Sequence, residues 1–130
     1  MNIWIVEDDA GYRRNLRMSL ELEAHINVGR VFPSSIEFFD ALGTESPPDV
    51  VLMDLGLPGM SGIEVIQKLS KVAPDITVMV LTVFKDKKRV REALNAGASG
   101  YLLKAADGPE IISSLQKVVA RGTVLSPALT

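Results

Sequence analysis

Short apolar runs alternate with amphipathic stretches along the chain. The runs are rich in Val, Ile and Leu, and each is followed by a helical pattern or by a turn that leads into one. They occupy residues 2–7, 26–32, 49–54, 76–82 and 100–103. Strands that alternate with helices form parallel sheets whose right-handed crossovers cover both faces. The pattern therefore predicts a doubly wound α/β domain with a five-stranded parallel sheet between two layers of helices.

The intervening segments carry helix signals. Residues 10–23 place Tyr12, Leu16 and Leu20 on one apolar side of a predicted helix. Two further helices open with Ser-x-x-Glu capping boxes, the fourth spans residues 86–96, and the fifth begins near residues 107–110. The residues that mark the capping boxes and the helix ends are Ser34, Glu37, Ser61, Glu64, Gly97, Arg121 and Gly122. The apolar face of the fifth helix is predicted to comprise Ile111, Ile112, Leu115, Val118 and Val119.

Composition and charge are those of an ordinary folded domain. The 130 residues are 47% hydrophobic and 23% charged, which suffices for one core and argues against disorder. A net charge of -2 gives no general attraction to nucleic acid or to an anionic membrane surface. The chain has no cysteine, which excludes disulfides and thiolate metal sites. Because no signal-like start occurs and no apolar run reaches the roughly 20 residues of a membrane helix, we expect a cytoplasmic protein.

The end of the chain departs from the alternating pattern. Residues 123–130 are too few for another domain and end without a clear stop signal. We therefore expect one domain at residues 1–122, followed by the start of a linker or a loose C-terminal tail at residues 123–130.

Acidic residues stand at the carboxyl ends of two predicted strands. Glu7 and Asp8 end the first apolar run, Asp54 ends the third, and Asp9 is expected to cap the first helix. Since open α/β sheets hold their ligands outside the carboxyl ends of the strands, the first three carboxylates should lie together. Such neighbours raise one another's pKa and would repel a phosphate, whereas Mg²⁺ prefers hard oxygen ligands. The sequence therefore predicts a cation site at this edge.

Thr82 and Lys104 end the fourth and fifth runs at the same edge of the sheet. Together with the acids and the loop from Gly56 to Gly62, they belong to the strings IVEDD, VVLMDLGLPGMSG, VLT and GYLLK. In this order and spacing, the strings resemble the receiver domain of two-component response regulators over essentially the whole chain. The resemblance implies a flavodoxin-like (βα)5 three-layer sandwich. The LLKA stretch and the LSP of the tail further resemble receivers of the NarL/LuxR-like subfamily.

The resemblance also implies a phosphorylation-controlled signalling switch with Mg²⁺ as its cofactor. Asp54 would accept a phosphoryl group from the phosphohistidine of a sensor histidine kinase. Asp8 would bind Mg²⁺ directly, and Glu7 would hold it mainly through water. Asp54 and the backbone carbonyl of Gly56 would supply the remaining protein ligands. The domain would catalyse only its own phosphorylation and its slow dephosphorylation.

Three further residues would turn phosphorylation into a signal. Thr82 and Lys104 would contact the phosphoryl oxygens, and Tyr101 would turn inward as Thr82 moves, although ordinary packing is an alternative for this tyrosine. The surface of the fourth helix, fifth strand and fifth helix would then change, as in a two-state switch. The partner of this surface would be a C-terminal DNA-binding output domain, absent from this chain, or a second copy of the receiver in a homodimer. The receiver itself would bind neither nucleic acid nor membrane.

Two positions differ from the commonest pattern of the family. Val83 stands where most receivers carry a small residue, so we expect slower phosphorylation or slower hydrolysis. Ala105 replaces a proline that often has a cis bond. Because a cis bond before a non-proline residue costs about 3 kcal/mol, we expect a trans bond or a rearranged loop.

Several alternative interpretations stay open. A receiver-like interaction module that no longer cycles phosphate would keep the same residues. A haloacid-dehalogenase-like phosphatase also uses an Asp at a strand end, but its second acid would stand at Gly56. A flavodoxin-like cofactor binder would need a phosphate loop after the first strand. The basic clusters at residues 13–17 and 85–91 are either solvated faces or docking surfaces, and His25 is expected to be exposed.

Overall fold

The computed structural model describes residues 1–121 and 124–125, and these residues form one parallel sheet with five helices. The strands are β1 (Asn2–Val6), β2 (Asn27–Phe32), β3 (Val50–Met53), β4 (Thr77–Thr82), β5 (Gly100–Leu103) and β6 (Val124–Leu125). They lie in the order β2-β1-β3-β4-β5-β6. The first five are the predicted strands, and they confirm the doubly wound, flavodoxin-like α/β fold.

The short strand β6 was not predicted. It pairs in parallel with β5 at Gly100 and Tyr101, and so it adds a sixth strand at the edge of the sheet. Residue 122, the last of the predicted domain, and residues 123 and 126–130 of the predicted tail lie outside the described residues. The division of the chain at residue 122 stays a prediction.

Five helices connect the strands in sequence. They are α1 (Ala10–Glu21), α2 (Ser35–Thr44), α3 (Gly62–Val72), α4 (Lys87–Ala96) and α5 (Gly108–Arg121). The first four begin after a side chain that accepts a backbone N–H three residues further on, from Asp9, Ser34, Ser61 and Asp86. These caps confirm the predicted helix starts, whereas α1 ends two residues earlier than predicted. No helix in residues 1–121 has the length and the apolar character that crossing a membrane requires.

The two faces of the sheet carry separate cores. One face packs against α1 and α5, and the other packs against α2, α3 and α4. On α5 the buried stripe consists of Ile111, Leu115 and Val118 at helical spacing. Val119, which was predicted to lie on this buried face, is 53% exposed because it lies about 100° further round the helix than Val118.

The strand register brings the ends of four strands to one edge. Val6 pairs with Met53, Met53 with Val80, and Thr82 with Leu103. The residues that follow β1, β3 and β5 therefore leave the sheet close together. This edge is where an open α/β sheet binds its ligands.

Candidate functional site

Main-chain hydrogen bonds fix the start of each loop at the carboxyl edge of the sheet. The N–H of Glu7 donates to a carbonyl of β2 at 2.9 Å, and that of Asp54 donates to a carbonyl of β1 at 3.2 Å. The N–H of Lys104 donates to the carbonyl of Thr82 at 2.8 Å. These three side chains therefore project from backbone that still belongs to the rigid frame of the sheet.

Three carboxylates meet at this edge. One oxygen from each of Glu7, Asp8 and Asp54 lies within 4.8 Å of the other two. Glu7 and Asp54 are buried, with 3% and 8% of their surface exposed, whereas Asp8 is exposed. Carboxylate oxygens with one side open to solvent fit Mg²⁺, which takes one or two carboxylates and keeps several waters. The donor set therefore suits the predicted cation.

Lys104 joins the two buried acids. Its Nζ lies 2.5 Å from Oε1 of Glu7 and 3.0 Å from Oδ2 of Asp54. Burial disfavours the charged ammonium, but the two carboxylates outweigh it, and the pKa of Lys104 is raised. For Glu7, burial is the largest influence and raises its pKa, although the bonds from Lys104 and from the N–H of Asp9 oppose the rise. One ammonium against three carboxylates leaves two negative charges in excess, which a divalent cation would balance.

Thr82 and Tyr101 both bond to the backbone of Phe84. The buried Thr82 hydroxyl accepts the N–H of Phe84 at 3.5 Å, and the Tyr101 hydroxyl donates to the carbonyl of Phe84 at 2.8 Å. Burial raises the pKa of Tyr101 to about 12. The structure thus places Tyr101 inward, the orientation that the resemblance implies for the phosphorylated state. The movement of Thr82 and Tyr101 stays a prediction.

Glycines shape the loop that carries Asp54. The N–H of Gly56 donates to Oδ1 of Asp54 at 3.1 Å, which orients the carboxylate. A Cβ on Gly62 would lie 2.5 Å from Cα of Leu55 and 2.8 Å from the carbonyl oxygen of Asp54. Only a glycine at position 62 lets the start of α3 approach this backbone so closely. The role of the Gly56 carbonyl as a cation ligand stays a prediction.

Two aromatic residues at the site were not recognised in the sequence. Tyr12 was assigned only to the apolar side of α1, yet its ring centroid lies 4.6 Å from Nζ of Lys104. Phe84 places Cε2 within 3.5 Å of the position of a Cβ on Gly56, and the Arg89 guanidinium lies 4.1 Å from its ring centroid. Their positions in the sequence could have indicated that both lie near the site, because Tyr12 lies one helical turn after Asp8 and Phe84 follows Thr82 by two residues.

The remaining residues of interest lie around the site. Arg13 donates to the carbonyl of Glu7 at 2.6 Å, so this member of the basic cluster supports the acidic loop. The Lys104–Ala105 bond is trans, as expected. Val83 is 64% exposed, and its predicted effect on reaction rates stays a prediction. His25 is exposed, as predicted.

Fold and site together define a class: flavodoxin-like α/β domains with a buried aspartate, an acidic pair and a lysine at the carboxyl edge of the sheet. Residues 3–116 match the family model for the response regulator receiver domain, and the chain belongs to this family. It is therefore a phosphorylation-dependent signalling domain of the two-component type. This membership excludes the phosphatase and the cofactor binder as families for the chain.

Curated relatives with similar sequences are named as regulators. The chain is 35% identical over its whole length to the transcriptional regulatory protein LnrK of Bacillus subtilis, of which it covers 59%. It is 30% identical over its whole length to the oxygen regulatory protein NreC of Staphylococcus carnosus, of which it covers 60%. The chain thus spans about 60% of the length of these relatives.

Solved structures show the same fold. The isolated REC domain of RcsB from Salmonella enterica serovar Typhimurium, determined with phosphomimetic BeF3⁻, matches 99% of this chain and 95% of its own length, with a TM-score of 0.91 and 23% identity. A LuxR-family response regulator from Aurantimonas sp. SI85-9A1 matches 98% of this chain and 91% of its own length, with a TM-score of 0.91 and 28% identity. The second match agrees with the NarL/LuxR-like resemblance.

Proposed function

We propose that Asp54 accepts a phosphoryl group from the phosphohistidine of a sensor histidine kinase and that the phosphorylated domain controls a transcriptional output. One observation carries the proposal: a buried Asp54 carboxylate is held by Lys104 at 3.0 Å and has two further carboxylates within 4.8 Å. This arrangement supplies an oriented nucleophile with its counter-charges already in place.

The transfer needs positioning and charge neutralisation more than it needs covalent help from the protein. A carboxylate oxygen of Asp54 forms a bond to phosphorus while the bond from phosphorus to the donor's imidazole nitrogen breaks, and the imidazole keeps the electron pair. Lys104, already beside Asp54, binds an oxygen of the incoming group. The Thr82 hydroxyl, which accepts a bond from Phe84, has its own proton to donate to a second phosphoryl oxygen.

The acidic pair and Asp54 would together hold the cation. Asp8 and Asp54 would bind Mg²⁺ directly, the carbonyl of Gly56 would add a ligand, and Glu7 would act mainly through water. Bound Mg²⁺ supplies charge neutralisation at the phosphoryl oxygens. The burial of Glu7 and its pairing with Lys104 support the indirect role, while the exposure of Asp8 supports the direct one.

The signal leaves the site through Phe84. Its N–H donates to the Thr82 hydroxyl and its carbonyl accepts the Tyr101 hydroxyl. A shift of Thr82 toward a phosphoryl oxygen would therefore move the backbone of Phe84 and, with it, the hydrogen bond to Tyr101. This segment leads directly into α4, and Tyr101 lies on β5. Phosphorylation therefore shifts the conformational equilibrium of the surface formed by α4, β5 and α5.

The proposed partners come from comparison with longer proteins, of which this chain matches only a part. RcsB has been solved as two dimers bound to two parallel DNAs, and this chain covers 65% of that protein. We propose, by analogy, a C-terminal DNA-binding output domain, a homodimer as the assembly, and a cytoplasmic location, where a histidine kinase would present its phosphohistidine. The receiver itself contacts neither nucleic acid nor membrane.

The test is modification of the protein by phosphoramidate with Mg²⁺, followed by intact-mass measurement. We expect one phosphoryl group on the natural protein and on Asp40→Asn, an exposed acid of α2 that serves as the matched control. Asp54→Asn should remain unmodified. A natural protein that stays unmodified, and that also fails to bind beryllofluoride, would favour the non-cycling interaction module, and modification of Asp54→Asn would refute Asp54 as the acceptor.

A further inference from the structure

The ammonium group of Lys104 has a third neighbour besides its two carboxylates. Nζ lies 2.5 Å from Glu7 and 3.0 Å from Asp54, and the ring centroid of Tyr12 lies 4.6 Å away. Only 16% of the lysine side chain is exposed. An ammonium within about 6 Å of a ring centroid is attracted by the negative face of the ring.

A closed circuit of contacts sets the position of Tyr12. The carboxylate of Glu7 accepts the N–H of Asp9 at 2.9 Å, and the carboxylate of Asp9 accepts the N–H of Tyr12 at 2.9 Å. Lys104 then connects the ring of Tyr12 back to Glu7. The helix cap that starts α1 therefore fixes the backbone of Tyr12 beside the acidic loop, and from there its ring reaches the lysine.

We infer that Tyr12 is a positioning residue for phosphoryl transfer, and that its ring holds the Lys104 ammonium beside Asp54. The inference rests on the proposed function. Phosphorylation removes the carboxylate charge of Asp54, so Lys104 must transfer its bond from that carboxylate to a phosphoryl oxygen. The ring of Tyr12 attracts the ammonium equally before and after phosphorylation of Asp54, because the ring itself does not change.

An uncharged ring suits this role better than another acid would. The site already has two negative charges in excess, and a further carboxylate would add repulsion toward the incoming phosphoryl group. The aromatic face attracts the cation without adding net charge.

The test compares initial rates of Asp54 phosphorylation by phosphoramidate at saturating Mg²⁺. Tyr12→Leu removes the ring and is expected to slow the reaction by about threefold to tenfold. Tyr12→Phe keeps the ring and is expected to react at the rate of the natural protein. The matched control is Phe39→Leu, because Phe39 has a similar contact with Lys68, at 4.3 Å, on the opposite face of the sheet. This control should react at the natural rate.

A double-mutant comparison shows whether Tyr12 acts through Lys104. Tyr12→Leu should cause no further slowing in the Lys104→Met background. Urea unfolding of the natural protein, Tyr12→Leu, Lys104→Met and the double variant should show coupling between the two positions. The inference is overturned if Tyr12→Phe is as slow as Tyr12→Leu, or if Tyr12→Leu slows both backgrounds equally and shows no coupling in unfolding. Failure of the natural protein to react at all would overturn the proposed function instead, together with this inference.

Discussion

Asp8 is the exposed member of the three-acid cluster, and its charge should cost stability when no cation is bound. A carboxylate oxygen of Asp8 lies within 4.8 Å of those of Glu7 and Asp54, and the ammonium of Lys104 pairs with the latter two. Replacing Asp8 by Asn removes one of the two excess negative charges. We expect Asp8→Asn to stabilise the metal-free domain by about 1 kcal/mol, measured by urea unfolding in the presence of a chelator.

Once Mg²⁺ is added, Asp8→Asn should be less stable than the natural protein. A ligand that binds only the folded state stabilises it in proportion to its affinity, so the natural protein should gain stability and Asp8→Asn should gain little. Asp40→Asn, an exposed acid on α2, is the control and should respond to Mg²⁺ like the natural protein. A metal-free Asp8→Asn domain less stable than the natural one would contradict the repulsion argument.

Residues at strand ends could be placed from the sequence because a strand end has a fixed location in this fold. Glu7, Asp54 and Lys104 each follow a strand, and the structure brings them into contact. Tyr12 and Phe84 could not be placed, since their contacts depend on helix rotation and side-chain rotamers. Periodicity assigned Tyr12 to the apolar side of α1 and carried no information on the lysine it faces.

The end of α4 depends on a glycine with a backbone conformation that other residues avoid. Gly97 has φ of 125°, and a Cβ there would overlap the hydroxyl of Ser70. That hydroxyl donates to the carbonyl of Ala96 at 2.7 Å and so ties α3 to the last turn of α4. We expect Gly97→Ala to destabilise the domain by about 1–3 kcal/mol in urea unfolding.

Gly43 supplies the contrasting case within α2. A Cβ on Gly43 would meet nothing within 4 Å, and its φ is not positive. Alanine at such a helical position stabilises by about 0.5–1 kcal/mol, because it has less backbone freedom to lose on folding. Equal effects of Gly43→Ala and Gly97→Ala would show that neither conformation nor crowding distinguishes the two glycines.

Helix starts were predictable because capping is local chemistry, whereas other boundaries depend on the assembled fold. Ser34 and Ser61 accept the N–H groups of Glu37 and Glu64, as their spacing indicated. The strand β6 has only two residues, too few for a periodic signal, and it is defined by its pairing with β5. Its existence follows from the sheet and could not follow from the segment alone.

At the scale of the whole molecule, the site draws on both layers of helices. Tyr12 comes from α1, which packs on one face of the sheet, while Phe84 packs with the core of the other face. Between them lie the strand-end residues Asp54 and Lys104. The buried carboxylate of Asp54 is thus flanked by side chains from both faces, and the charge of a phosphoryl group has a larger effect at such a partly buried position than in bulk water.

The two tyrosines of the chain should make the whole domain sensitive to alkali. Burial raises the pKa of both Tyr12 and Tyr101 to about 12, from an ordinary value of 10. The unfolded chain therefore releases these protons at lower pH than the folded one, so stability falls as pH rises from 10 to 12. The loss is on the order of 2 kcal/mol for each tyrosine. Lys104 acts in the same direction, since its raised pKa gives stability that is lost as pH rises through the folded value.

Phenolate absorbance and urea unfolding across this pH range check the prediction. The folded domain should show no tyrosine ionisation near pH 10, and the unfolded chain should show both. Tyr101→Phe removes one of the two groups, so its stability should decline less steeply with pH, even though the lost bond to Phe84 lowers its stability at neutral pH. An ionisation step near pH 10 in the folded protein, or equal slopes for Tyr101→Phe and the natural domain, would mean that burial does not hold the phenol of Tyr101 in its neutral form.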